Sequence, residues 1–177
     1  MNSDEKKNVT ERLHIKYLAE NLNVNPNLGA EGFDFSSDRH LLELKSRLCL
    51  FNKHGPTDNI WWALSEPQIR DYEEKYDSSE KGFLWMFVHA FTRDPCYQLK
   101  SEREIRKSIY RRDIFIAPWN IYKESPLGNE GRYTKTGPYR HVSRKNLLKR
   151  VIFKQTEIKE GRLYLPKGNE LDYLLQN

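Results

Sequence analysis

Apolar positions in this chain recur in two rhythms. In "VTERLHIKYLAENL", residues 9–22, Leu13, Tyr17 and Leu18 fall at helical spacing with Leu22 one turn on, and Thr10 can serve as N-cap, so a helix is predicted. After the turn-rich "NVNPNLGAEG", the segments "FDFSS" and "HLLELKSRLCLF" flank a short "SDR" and predict two antiparallel strands. "FNKHGPTDN" reads as a loop by its Gly, Pro, Asn and Asp content. "SEPQIRDYEEKY" predicts a second helix, capped by Ser65 and with Pro67 in its first turn. The run "GFLWMFVHAF" has strand length and is apolar on both faces; "SEREIRKSIYRRD" predicts a helix, and "IFIAPWNIY" a buried strand interrupted at Pro118. A long Gly/Pro loop, "KESPLGNEGRYTKTGPYRHV", a short basic helix, "SRKNLLKR", and strands in "VIFKQTEIKEGRLYLP" complete the order. Helices alternating with strands in this way predict an α/β fold, a central mixed β-sheet flanked by α-helices.

With 177 residues, one domain is the expectation. No run of about 18 apolar residues and no apolar segment behind a basic start is present, so neither a membrane span nor a signal peptide is expected, and a cytoplasmic location is the default. Cys49 and Cys96 lack metal-ligand spacing; Cys49, in "LCLF", reads as a buried small hydrophobe. The five histidines have no paired zinc spacing and read as structural or surface residues. Charge changes the picture more. Residues 1–94 carry 12 Lys and Arg against 16 Asp and Glu, whereas residues 95–154 carry 15 against 5. An acidic part beside a basic part divides the chain into a candidate catalytic core, about 9–94, and a candidate region holding an anionic polymer, about 95–154.

Chemistry concentrates in the first hairpin. Strand alternation puts Glu43 and Lys45 on one face, with Leu42 and Leu44 on the other. If Asp34 lies on the paired strand near Glu43, two carboxylates converge on one hard cation, and Mg²⁺ takes one or two carboxylates with water filling its octahedron. Lys45 beside them could orient a nucleophilic water and offset charge on a phosphoryl transition state. The tripeptide E-x-K alone decides nothing, because it also occurs at Glu5–Lys7, Glu73–Lys75 and Glu157–Lys159. Only the Glu43 copy sits in an apolar strand directly after an acid-bearing one.

The succession of Glu11 in a first helix, "GFDF" with Asp34 and "LELKSR" with Glu43 and Lys45 resembles the PD-(D/E)xK nucleases, the restriction-endonuclease-like superfamily. The resemblance covers residues 9–47 and extends to "QIRDY", where Gln68 and Tyr72 match a Q-x-x-x-Y element that follows the lysine in related members; Phe33 stands where the family name has Pro. It implies a restriction-endonuclease-like core with Asp34, Glu43 and the carbonyl of Leu44 as metal ligands, Lys45 as the catalytic lysine and Glu11 as accessory acid. Glu20 competes with Glu11, and Gln68 would stand near the phosphate.

"GRYTKTGPYRHVSRKNLLKR" interleaves Arg132, Lys135, Arg140, Arg144, Lys145, Lys149 and Arg150 with Tyr133 and Tyr139, a composition suited to phosphate contact and groove readout. The helix at 101–112 could add contacts through Arg103, Arg106, Lys107, Arg111 and Arg112, while Trp61, Trp62 and "FLWMF" read as core. The combined expectation is a Mg²⁺-dependent endonuclease on double-stranded DNA, of type II restriction kind and homodimeric so that two sites cut two strands. A structure-specific nuclease of Holliday junction resolvase kind and an inert nucleic-acid-binding protein are the alternatives.

Overall fold

The structure, a computed structural model, describes residues 3–22, 25–27, 32–50, 61–95, 98–128 and 138–158. The expected mixed sheet flanked by helices is present. Helix α1, Ser3–Leu22, is followed by the short strands β1, Asn25–Pro26, and β2, Phe35–Ser36, and by the long β3, His40–Leu50. Strand β4, Trp61–Ser65, leads into α2, Glu66–Lys75; then come β5, Gly82–Thr92, α3, Glu102–Ser108, and β6, Ile109–Pro118. A 3₁₀ turn, Trp119–Glu124, precedes β7, Tyr139–Ser143, α4, Arg144–Arg150, and β8, Phe153–Ile158.

Six strands form one sheet in the order β1-β2-β3-β5-β6-β8, and β4 and β7 form an antiparallel ribbon. Among the described strands only β3 and β5 run parallel, with Glu43 opposite Trp85 and Lys45 opposite Phe87. Central β5 is buried on both sides, which is why its sequence is apolar without alternation. On one face Leu42, Leu44, Leu84, Met86, Val88, Ile114 and Ile116 pack under Ile15 and Leu18 of α1. On the other, Trp85, Phe87, Phe115 and Ala117 lie beneath Trp62 and Leu64 of β4, Val142 of β7, Ile69 and Tyr72 of α2, and Leu147 of α4. Each fully buried large side chain contributes about 1.5–3 kcal/mol. Because β6 and β8 extend the sheet from β5, the basic part of the chain and the acidic part share one sheet.

The capping signal read at Ser65 holds. Ser65 caps α2, its hydroxyl accepting from the Gln68 amide at 3.4 Å with Pro in the first turn. Helix α3 opens with a capping box between Ser101 and Glu104.

Five expectations need correction. Helix α1 begins six residues before Val9, so Thr10 is a buried mid-helix residue and not a cap. The helix expected over 101–113 ends at Ser108, because the β-branched "IYRRDIFI" pairs with β5 from Thr92 opposite Ile109; Arg111 and Arg112 are therefore strand residues. The end of the expected loop, Tyr139–Ser143, is strand β7, hydrogen-bonded to β4. Cys49 is half-exposed. Trp62 is core as expected, whereas Trp61, one residue earlier, points to the other side of the ribbon and stays half-exposed. The loop expected at 51–59 and the strands expected beyond 158 lie outside the described residues.

Candidate active site

Strand β2 pairs with β3 only through Phe35 opposite Leu42 and Ser36 opposite Leu41. The chain then leaves the ladder, and the Asp34 carboxylate takes over, its Oδ2 accepting the Leu44 amide at 2.7 Å. This side-chain substitute for a ladder bond brings Asp34 to the stretch of β3 that carries Glu43. What Leu44 contributes here is its amide N–H.

Glu43 is 3% exposed, an unusual position for a carboxylate. Its Oε1 accepts from Lys45 Nζ at 2.6 Å and from Gln68 Nε2 at 2.7 Å. Its Oε2 is buried with no hydrogen-bond partner. Lys45 reaches Gln68 Oε1 as well, at 3.3 Å, and lies 5.8 Å from the Trp85 ring centroid. Gln68 Nε2 also meets Tyr72 Oη at 3.1 Å, and the Tyr72 hydroxyl donates to the Gly32 carbonyl at 2.5 Å. Gly32 has φ +92°, a left-handed conformation that glycine takes without strain and that aims its carbonyl at Tyr72. A chain of hydrogen bonds therefore ties the bend before Asp34 to helix α2 and to Glu43. The Gln68–Tyr72 pair, one turn apart, supports the site as well as the helix.

Electrostatics show how crowded the carboxylates are. Burial, then the Glu43 charge, pushes Asp34 up to about 8. Burial also raises Glu11, against the pull of Lys45 and Lys7. Burial opposes the Lys45 ammonium, but Glu43, Glu11 and Asp34 outweigh it and hold its pKa above the ordinary lysine value. Glu11 is thus within electrostatic reach of Lys45 and Glu43, whereas Glu20 is exposed.

Among the described residues no group of three or more His, Cys, Asp and Glu side chains is arranged to hold a metal. A cation here would rest on Asp34 and Glu43 with water completing its shell. The residues present fit that demand: Asp34 is held one residue along β3 from Glu43, whose charge acts on it, and Glu43 Oε2 is buried without a partner.

The basic residues expected to meet DNA differ in their surroundings among the described residues. Arg132 and Lys135 lie outside the described residues. Arg140 Nε donates to Glu66 Oε1 at 2.5 Å and its Nη1 to the Ser125 carbonyl at 3.1 Å. Arg150 is exposed but ion-paired with Glu124. Lys145 and Lys149 are exposed on α4.

Arg144 is a correction. It is 5% exposed and donates to Asp113 Oδ2 at 2.8 Å, with Nη1 3.1 Å from His89 Nδ1. The first helical residue after the Ser143 cap points inward, onto β6, so its charge is spent inside the protein. Asp113 also accepts from Arg111 Nε at 2.9 Å and Thr156 Oγ1 at 2.9 Å. Burial alone would raise Asp113, but these donors hold it below the usual carboxylate range. Sequence reasoning missed this network. It also missed Arg47, although alternation along β3 already places Arg47 on the face of Glu43 and Lys45.

No family model matches this chain. No curated protein matches it either. Among solved structures, it is similar to Hjc, a Holliday junction resolvase from the archaeal hyperthermophile Archaeoglobus fulgidus, at 11% identity and a TM-score of 0.41, over 82% of this chain and 89% of that one.

Proposed function

We propose that this chain is a metal-dependent DNA endonuclease of PD-(D/E)xK type. One observation supports the reading: Asp34 Oδ2 accepts the Leu44 amide, one residue along β3 from Glu43, whose Oε1 holds Lys45 and whose Oε2 is buried and unpartnered. Held by Asp34 and Glu43, with Glu11 as accessory acid, Mg²⁺ would polarise the scissile phosphate and lower the pKa of a water. The chain's own groups do the rest. The Lys45 ammonium, kept charged by its carboxylate neighbours, offsets negative charge growing on the phosphate. Gln68 fixes Glu43 and Lys45 relative to each other, and Tyr72 fixes Gln68. Exposed Lys145 and Lys149 supply phosphate contacts.

Two substrate classes follow from such a centre: a sequence-specific cut of type II restriction kind, and cutting directed by DNA structure. The first needs arginines free to read bases. Arg132 lies outside the described residues; among the described candidates, Arg140 is engaged by Glu66 and Ser125 and Arg144 is buried against Asp113, which favours the structure-specific class. In either class a homodimer would supply two sites for two strands.

The test compares wild type with Glu43→Gln on long duplex DNA and on four-way junctions in Mg²⁺. Binding is followed in parallel with Ca²⁺ in place of Mg²⁺. Wild type is expected to cut, and Glu43→Gln to lose cutting by at least about 10²-fold while binding stays within a few-fold. Undiminished cleavage by Glu43→Gln would remove the proposed centre. Discrete fragments from duplex would restore the sequence-specific class, and junction cutting alone would uphold the structure-specific one.

A further inference from the structure

The β4–β7 ribbon has two unlike faces. Its inner side chains, Trp62, Leu64 and Val142, close the core. Its outer face carries a row of rings outside the core clusters of the described residues. The Trp61 and His141 rings stack at 4.2 Å with 23° between planes, and the Tyr139 ring follows His141 at 4.8 Å and 32°. All three are half-buried, and burial pushes His141 down, leaving a neutral ring between its neighbours. At the end of the row the exposed Arg47 guanidinium lies 5.0 Å from the Trp61 ring centroid and donates to the Trp61 carbonyl.

Arg47 connects this face to the proposed chemistry. It shares one side of β3 with Glu43 and Lys45, and at about 3.3 Å per residue it stands about 13 Å from Glu43 along the strand. At the other end of the ribbon, Ser65 caps α2, the helix that carries Gln68 to Glu43. Beyond Ser143 the chain enters α4 with exposed Lys145 and Lys149. Aromatic rings in a row, with Arg47 and the start of α4 both at the Trp61 end and a proposed phosphodiester-cleaving centre nearby, match the chemistry of a nucleic-acid strand: flat π-faces for bases and positive charge for phosphates.

We infer that the outer face of the β4–β7 ribbon, with Arg47, Trp61, Tyr139 and His141, binds unpaired nucleotides of DNA by stacking and leads the strand to Glu43 and Lys45. Unpaired bases are specified because those in an intact duplex are already stacked on one another and offer no free face to a ring. The inference rests on the nuclease reading and deepens it: the substrate class becomes DNA with an opened or single-stranded segment next to the cut.

The experiment measures affinity for a fluorescent single-stranded oligonucleotide and for the same sequence as blunt duplex, in Ca²⁺, for wild type, Trp61→Ala, Trp61→Phe and His141→Ala. Loss of one stacked base predicts that Trp61→Ala weakens single-strand binding by at least about fivefold, with duplex binding within about twofold and Trp61→Phe close to wild type. Thermal melting verifies folding. If Trp61→Ala proves unfolded, His141→Ala carries the same expectation. Unchanged single-strand affinity in folded Trp61→Ala and His141→Ala overturns the inference, as does an equal loss on both substrates. A change from dimer to monomer in Trp61→Ala, with affinity per protomer unaltered, also overturns it and makes a second copy of the chain the occupant. A protein that cuts nothing, yet loses single-strand binding selectively on Trp61→Ala, overturns the nuclease reading and the delivery of a strand to a cut, while upholding the ribbon as the stacking face.

Discussion

Replacing Arg144 by Ala tests whether its charge serves the interior or the DNA. The guanidinium is 5% exposed and Asp113, its partner at 2.8 Å, is fully buried. Arg144 also contacts His89 and lies 5.0 Å from the Phe115 ring centroid. Breaking a buried ion pair from one side costs about 3–5 kcal/mol, because the remaining charge is left without its counter-charge. Asp113 keeps Arg111 and Thr156, which places the expected loss near the lower end, about 3 kcal/mol. In a urea titration with a slope of about 2 kcal/mol per molar, the midpoint falls by about 1.5 M with the slope unchanged. The adjacent Lys145 is exposed, so Lys145→Ala is expected within about 0.5 kcal/mol of wild type. Asp113→Ala combined with Arg144→Ala should cost less than the sum of the two singles, because the pair is lost only once. A wild-type midpoint for Arg144→Ala, accompanied by weakened DNA binding, would refute the reasoning and return Arg144 to the surface role its sequence context suggests.

Two further outcomes are expected. His14 and His89 are buried; burial first, then Arg112 for His14 and Arg144 for His89, pushes each pKa down to about 3. The unfolded chain takes up these protons near the ordinary value of 6.5 while the folded protein does not, so each histidine's contribution is intact above 6.5 and is lost as pH falls toward 3. Between pH 7 and pH 5 this amounts to about 2 kcal/mol per histidine. Asp34, displaced upward, works in the opposite direction in metal-free protein, so the His89 share is read as the difference in pH dependence between wild type and His89→Gln. Identical urea midpoint changes between pH 7 and 5 for the two proteins would sink the assignment. On the surface, neutralising Lys145 and Lys149 together should flatten the slope of log K against log salt by about 1.8, near 0.9 for each lost phosphate contact, with stability unchanged. An unaltered slope would move the phosphate track off α4.

Some of this molecule was legible in the chain as text, because the governing interactions are local. Ser65 with Pro67 marks the start of α2, since a cap and its helix lie within four residues. The shared face of Glu43 and Lys45 follows from a two-residue period, and the two side chains do meet at 2.6 Å. The unbroken apolar run of β5 announced a strand covered on both sides. What tertiary structure decided depends on partners far along the chain. Glu11 and Glu20 are both acids on one helix, and only the packing of α1 over β3 leaves Glu20 exposed while bringing Glu11 within electrostatic reach of Lys45. The stretch at 109–113 has a helix-compatible sequence until β5 offers it a ladder. Trp61 and Trp62 look alike as text, and the pairing of β4 with β7 sends one outward and the other into the core. Arg144 sits in a basic run that reads as solvent-exposed. Its fate is set by Asp113, 31 residues away, because a buried carboxylate needs a counter-charge and the fold brings this guanidinium within reach.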